Sequence, residues 1–81
     1  MVYVSIPYIP ENNRLDKNLV KKEIEILVIS DNAKQNAYAA IYNLKPRGVD
    51  FEGQENVEAA RLENVLSKLG VPYIRLEESE Y

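Results

Sequence analysis

The sequence predicts an α/β domain, more closely an α+β two-layer sandwich, on three observations. Short β-branched runs alternate with stretches of helical period. Two of the helical stretches have legible stops, Pro46 after one and Gly70 after the other. No stretch is long enough, or repetitive enough, to suggest a second domain or a solenoid. The order read from the chain is β-β-α-(β)-α-β. It gives a small mixed sheet of 3–4 strands with two helices on one face. Helix–strand connections favour parallel pairing through right-handed crossovers, and a first hairpin would add an antiparallel pair.

Val2 to Ile9 reads as the first strand, with Val2, Val4, Ile6 and Tyr8 on one face at period two. Pro7 has no N–H, so this strand lies at an edge or ends there. Pro10 to Asn18 is polar and turn-rich: a hairpin loop, or a loop holding one helical turn around Leu15 and Leu19. Glu23 to Ser30 alternates at first and ends in a four-residue apolar run, Ile26-Leu27-Val28-Ile29. That pattern predicts a central strand covered on both faces at its end, with Lys21 and Lys22 projecting beyond the packed region.

Ser30-Asp31-Asn32 opens the first helix, with Asn32 as cap and Gln35 completing a capping box. Its apolar stripe is Ala37, Ala40, Ile41 and Leu44. Pro46 ends it and Lys45 sits in its last turn, against the negative end of the dipole. Val49 and Phe51 alternate with Asp50 and Glu52, a pattern that suits a short edge strand. A second helix runs from about Glu55 to Leu69, burying Val57 or Ala59 with Leu62, Val65, Leu66 and Leu69. Glu55 and Glu58 favour its first turn and Lys68 its last. Gly70 is read as a left-handed C-cap, with Val71 folding back on Leu66. Val71 to Leu76 forms the last strand, and Glu77 to Tyr81 a short acidic tail after a single domain of residues 1–76. Ile26, Val28, Ile41, Leu62, Leu66 and Ile74 are the predicted core.

Composition narrows the chemistry. The chain has no His, no Cys and no Trp. The usual general base, the usual nucleophile and the two best soft-metal ligands are absent, so no catalytic residue, metal site or cofactor is expected. Absence of Cys fits a reducing compartment. The N-terminus has no basic segment and no long apolar run, so the expectation is a cytoplasmic chain with no membrane contact. A chain of 81 residues buries only about 60–65% of its unfolded surface. With no disulfide to brace it, the core must come from aliphatic residues and tyrosines or be extended by a partner. The net charge is −3, and the basic residues are spread thinly. That argues against nucleic-acid binding, which needs a basic face. The carboxylates are too few for a DNA mimic.

Three constellations stand out. Ser30, Asp31 and Asn32 follow a predicted strand end, where α/β sheets collect ligands; capping the helix is their simpler role. Tyr38 and Tyr42 lie four residues apart and share a helix face, and tyrosine is enriched at interface cores. The segment Lys45 to Gly53 joins Lys45, Arg47, Asp50 and the only phenylalanine, Phe51, between two glycines. Loops of this kind carry function, although Phe51 also suits a core plug. The Tyr38–Tyr42 face and this loop, with Tyr38, Tyr42, Lys45, Arg47, Asp50 and Phe51, form the predicted protein-binding site.

Ala60 to Tyr73 resembles the helix–glycine–strand step of glutaredoxins and of kink-turn RNA-binding ribosomal proteins. Glutaredoxin chemistry would need a cysteine ahead of the helix, and RNA recognition a basic, glycine-rich loop. Neither is in the sequence, so the resemblance stops at the local turn and no family is assigned. The expected function is a non-enzymatic protein-binding domain: an adaptor, regulator or inhibitor that occupies a partner's surface. A small protein encoded by a phage or mobile element to block a host machine fits that profile. Open strand edges also leave room for a homodimer, through an edge or through the Tyr38–Tyr42 face. The alternative is a nucleic-acid-binding module or ribonucleoprotein subunit using Lys21, Lys22, Lys45 and Arg47.

Overall fold

The computed structural model describes residues 2–51 and 56–77. Within them the order is β1 (Val2–Ser5), a 3-10 turn (Pro10–Arg14), α1 (Lys17–Glu25), α2 (Asp31–Ile41), β2 (Gly48–Phe51), α3 (Asn56–Leu69) and β3 (Ile74–Glu77). The result is a small α+β domain with three helices and a three-stranded sheet in the order β2-β1-β3. Both pairings are antiparallel, so the sheet is not mixed. β2 and β3 run parallel to each other, as the intervening helix requires, but β1 lies between them. The crossover is split.

The largest departure from the sequence reading is at residues 17–30. A central strand over Glu23 to Ser30 does not form. Asp16 caps a helix instead, its carboxylate accepting from the amides of Asn18 and Leu19 at 2.9 and 3.4 Å. Val20 and Ile24 then fall on one face and are buried, with Leu27 packed against the core just past the helix. Ile24 and Ile26 would share a face in a strand but lie about 200° apart on a helix. Accordingly, Ile24 is 2% exposed and Ile26 66%. Val28 is exposed too, in the bent connector to α2. That connector is held to α3 from outside: Arg61 Nη1 donates to the Val28 carbonyl at 2.9 Å, and the Ser30 amide donates to Glu58 Oε1 at 3.4 Å.

Smaller corrections have local causes. Ser30, not Asn32, caps α2, accepting from the Ala33 amide at 3.2 Å. α2 ends at Ile41, so Leu44 and Lys45 lie beyond it and both are exposed. β1 ends at Ser5, before Pro7, and is the central strand rather than an edge; Tyr8 is exposed. In α3, Ala59 is buried and Val57 exposed, while Leu62, Val65 and Leu66 are buried as predicted. β3 starts at Ile74 and includes Glu77, and Ile74 is exposed. The predicted positions Glu52, Gly53 and Glu55, and the tail from Glu78 to Tyr81, lie outside the described residues.

α2 and α3 stop by the same device. At α3, Gly70 has φ of 76°, its amide donates to Ser67 O at 3.1 Å and the Val71 amide to Leu66 O at 2.8 Å. At α2, Asn43 has φ of 64°, its amide donates to Ala40 O at 3.1 Å and the Leu44 amide to Ala39 O at 2.8 Å. These are paired Schellman bonds, one around glycine and one around asparagine.

The core lies between the sheet and the helices. Val2 and Val4 of β1 and Val49 and Phe51 of β2 point into it, meeting Ala37, Ala40 and Ile41 of α2 and Ala59, Leu62 and Leu66 of α3. α1 packs against α2 and α3 and adds Val20 and Ile24. The other sheet face is uncovered among the described residues. By register it carries Tyr3 and Ser5 of β1, Asp50 of β2, and Ile74 and Leu76 of β3.

Candidate functional site

The residues singled out from the sequence separate into three places. Phe51 is 1% exposed and Tyr42 8%; both belong to the core cluster. Asp50 is exposed on the open sheet face, opposite Tyr3. Lys45 is exposed. Arg47 is half-buried, its guanidinium 5.1 Å from the ring of Tyr8, a distance suited to a cation–π contact. Its Nε is buried without a hydrogen-bond partner.

Tyr38 and Tyr42 are together, as their spacing requires, with ring centroids 5.1 Å apart and planes tilted by 53°. Tyr42 is the inner ring of the pair. Its hydroxyl donates to the Leu15 carbonyl at 3.2 Å, and the ammonium of Lys17 lies 5.6 Å from its ring centroid. Burial pushes the Tyr42 hydroxyl above the ordinary tyrosine value, and negative charge on Tyr38 and Asp16 adds to the shift. Tyr38 is the outer ring, half-buried.

Tyr38 lines an open groove of about 290 Å³ between α1 and α2. Ile24 contributes the apolar side, while Lys21, Glu25, Lys34 and Gln35 form the rest of the lining. Lys34 also donates to the Glu25 carbonyl at 2.8 Å, capping the end of α1 from α2. Lys17, Lys21 and Lys34 make no ion pair among the described residues. The groove lining therefore sets two cations, Lys21 and Lys34, against one carboxylate, Glu25. On a chain of net charge −3, this is a local reversal of sign.

Of the residues expected at the site, Tyr38 alone lines this groove. Lys34 and Gln35, also in its lining, were not anticipated there. The missing signal was helical phase in α1: Lys17, Lys21 and Ile24 stand at i, i+4 and i+7 and share one face. That face is invisible once residues 23–30 are read as a strand.

Lys45 and Arg47 stand elsewhere because Asn43 turns the chain after α2. Asn43 Oδ1 accepts from the Ile9 amide at 2.9 Å, and its Nδ2 donates to the Ile9 carbonyl at 3.0 Å and to Asn13 Oδ1 at 3.1 Å. The segment after α2 is thereby tied to the segment after β1. The Ile6 amide then donates to the Arg47 carbonyl at 2.9 Å.

Among the described residues, no group of His, Cys, Asp or Glu could hold a metal ion, and no helix is long and apolar enough to cross a membrane. Comparison with protein-family models, with curated proteins and with solved structures finds no match for this chain.

Proposed function

We propose that this protein is a non-enzymatic protein-binding domain, an adaptor, regulator or inhibitor, that works by occupying a partner's surface. The observation that carries the reading is the α1–α2 groove: an aromatic ring, Tyr38, half-buried beside Ile24 and flanked by Lys21 and Lys34. A ring held by its neighbours loses little entropy on binding and offers large contact area. Lysines around it favour a partner segment that carries carboxylates beside an apolar or aromatic anchor. A sequence without His or Cys supports binding rather than catalysis.

The same lysines would attract nucleic acid, and the assay must separate the two. A fluorescein-labelled peptide of alternating Glu and Phe and a labelled single-stranded oligonucleotide of mixed sequence are titrated in parallel by anisotropy. The expected result is saturable peptide binding that weakens by about 2 kcal/mol in Tyr38→Ala and further in Lys21→Glu/Lys34→Glu. Tighter binding of the oligonucleotide, with an affinity that falls steeply with salt, would overturn the protein-binding reading in favour of nucleic acid. Binding of neither probe would remove the groove as its basis.

A further inference from the structure

β3 is the more open of the two edge strands. All four of its residues, Ile74, Arg75, Leu76 and Glu77, are exposed, whereas three of the four in β2 are buried. Its inner side pairs with β1, and among the described residues no strand pairs with its outer side. Ile74 and Leu76 are 54% and 52% exposed and share the uncovered sheet face with Tyr3. Arg75 and Glu77 point to the other face, where Arg75 Nε is 3.3 Å from Glu63 Oε2 of α3 and 3.5 Å from Glu77 Oε2. An unprotected edge with an apolar stripe is a template for another strand.

We propose that the strand it takes is β3 of a second copy of this chain, paired antiparallel about a two-fold axis at Leu76. The sequence of the strand selects the register. With Leu76 opposite the partner's Leu76, Arg75 stands opposite the partner's Glu77, and Glu77 opposite the partner's Arg75. Two cross-strand ion pairs form on one face and an apolar pair on the other, the combination that stabilises antiparallel ladders. A slip of one residue in either direction sets Leu76 against a charged side chain. A slip of two sets Arg75 against the partner's Arg75, or Glu77 against the partner's Glu77. Every antiparallel pairing of β3 with its own copy is two-fold symmetric, and the register centred on Leu76 is the one that sets Arg75 opposite Glu77. It joins two three-stranded sheets into one of six strands, in the order β2-β1-β3-β3-β1-β2. The contact is small, so a weak dimer is expected, with a dissociation constant between about 10 µM and 1 mM.

This inference is independent of the α1–α2 groove, and its test leaves the groove intact. Sedimentation equilibrium over that concentration range should show the mass rising from one chain toward two. Glu77→Arg alone, which faces Arg75 with arginine, should weaken the dimer about tenfold or more. Arg75→Glu alone should do the same by facing Glu77 with glutamate. Mixing these two variants restores both ion pairs, so the mixture should dimerise at least as well as the wild type. Circular dichroism checks that each variant is folded. Because the chain has no cysteine, a second measurement is clean: Leu76→Cys should form a disulfide-linked dimer under mild oxidation, while Asp50→Cys on the opposite edge should not. A wild-type monomer at about 1 mM overturns the proposal. So does a dimer that ignores both charge reversals, or cross-linking that is equal at positions 50 and 76.

Discussion

Asn43 should contribute more to stability than any other polar side chain described, and a three-variant series separates its two roles. Its backbone is in the left-handed region, with φ of 64°, and its side chain bonds both the amide and the carbonyl of Ile9, the latter shared with the Asn12 amide, and also Asn13 Oδ1. Asn43→Ala removes all three bonds and places a Cβ residue without local compensation at positive φ. The two half-buried bonds to Ile9 contribute about 1 kcal/mol each, the exposed one to Asn13 less, and the left-handed backbone adds about 1 kcal/mol for alanine. The sum is about 3 kcal/mol. Asn43→Gly loses the same bonds but accepts the backbone, so it should cost about 2 kcal/mol. Asn43→Asp keeps the acceptor for the Ile9 amide but sets a carboxylate against the Ile9 carbonyl and Asn13 Oδ1, and should fall near alanine at neutral pH. Urea unfolding followed by far-ultraviolet circular dichroism measures all three. A glycine variant less stable than the alanine variant would refute the left-handed assignment. Two variants indistinguishable from wild type would refute the side-chain clamp.

Three further outcomes follow from the packing. Leu66→Ala, at a fully buried site in α3, should cost about 2–5 kcal/mol, read as a lowered urea midpoint with little change in slope. Gly48→Ala should destabilise by more than 1 kcal/mol or so, because an added Cβ would stand 2.5 Å from both the Val4 carbonyl oxygen and the Tyr3 hydroxyl, and the former is backbone; an unchanged melting temperature would mean that Tyr3 and β1 yield freely there. Tyr42 should be late to ionise in an alkaline titration at 295 nm. Its hydroxyl is raised in the folded state from 10.0, so its contribution is intact below that pH and is lost as pH rises through the folded value. Tyr42→Phe should flatten that alkaline loss.

How much of this was legible depended on punctuation. At Gly70 the reading held. Gly70 was recognised as a left-handed C-cap with Val71 folding back on Leu66, and Leu62, Val65 and Leu66 were placed on the buried face of α3. β2 was legible from Val49 and Phe51 alone. The failure at Glu23 to Ser30 is one of period: Ile24 and Ile26 bracket Glu25 as in a strand, yet Val20, Ile24 and Leu27 serve equally well as a helical stripe. Asp16 decides between them, since a capped nucleus at Lys17 commits the following residues to helix. Asn43 carried a signal too, because asparagine shares the left-handed region with glycine, but it stands three residues ahead of Pro46, which drew the helix end too far along. The site was partly hidden for the same reason. Tyr38 could be chosen from its spacing, while Lys21 and Ile24, which line the groove with it, belong to the misread helix. Tyr42 was read as a surface anchor, and Phe51 either as part of a binding loop or as a core plug, because an isolated aromatic in a loop or on a helix flank does not say which way it faces.

Amide chemical-shift mapping tests partner binding at the α1–α2 groove most directly. Nitrogen-15-labelled protein is titrated with the Glu–Phe peptide. The shifts should concentrate at Lys21, Ile24, Lys34, Gln35 and Tyr38, with the open sheet face around Tyr3 and Leu76 undisturbed. Shifts confined to residues outside α1 and α2, with Tyr38 and Lys21 unmoved at saturation, would contradict it.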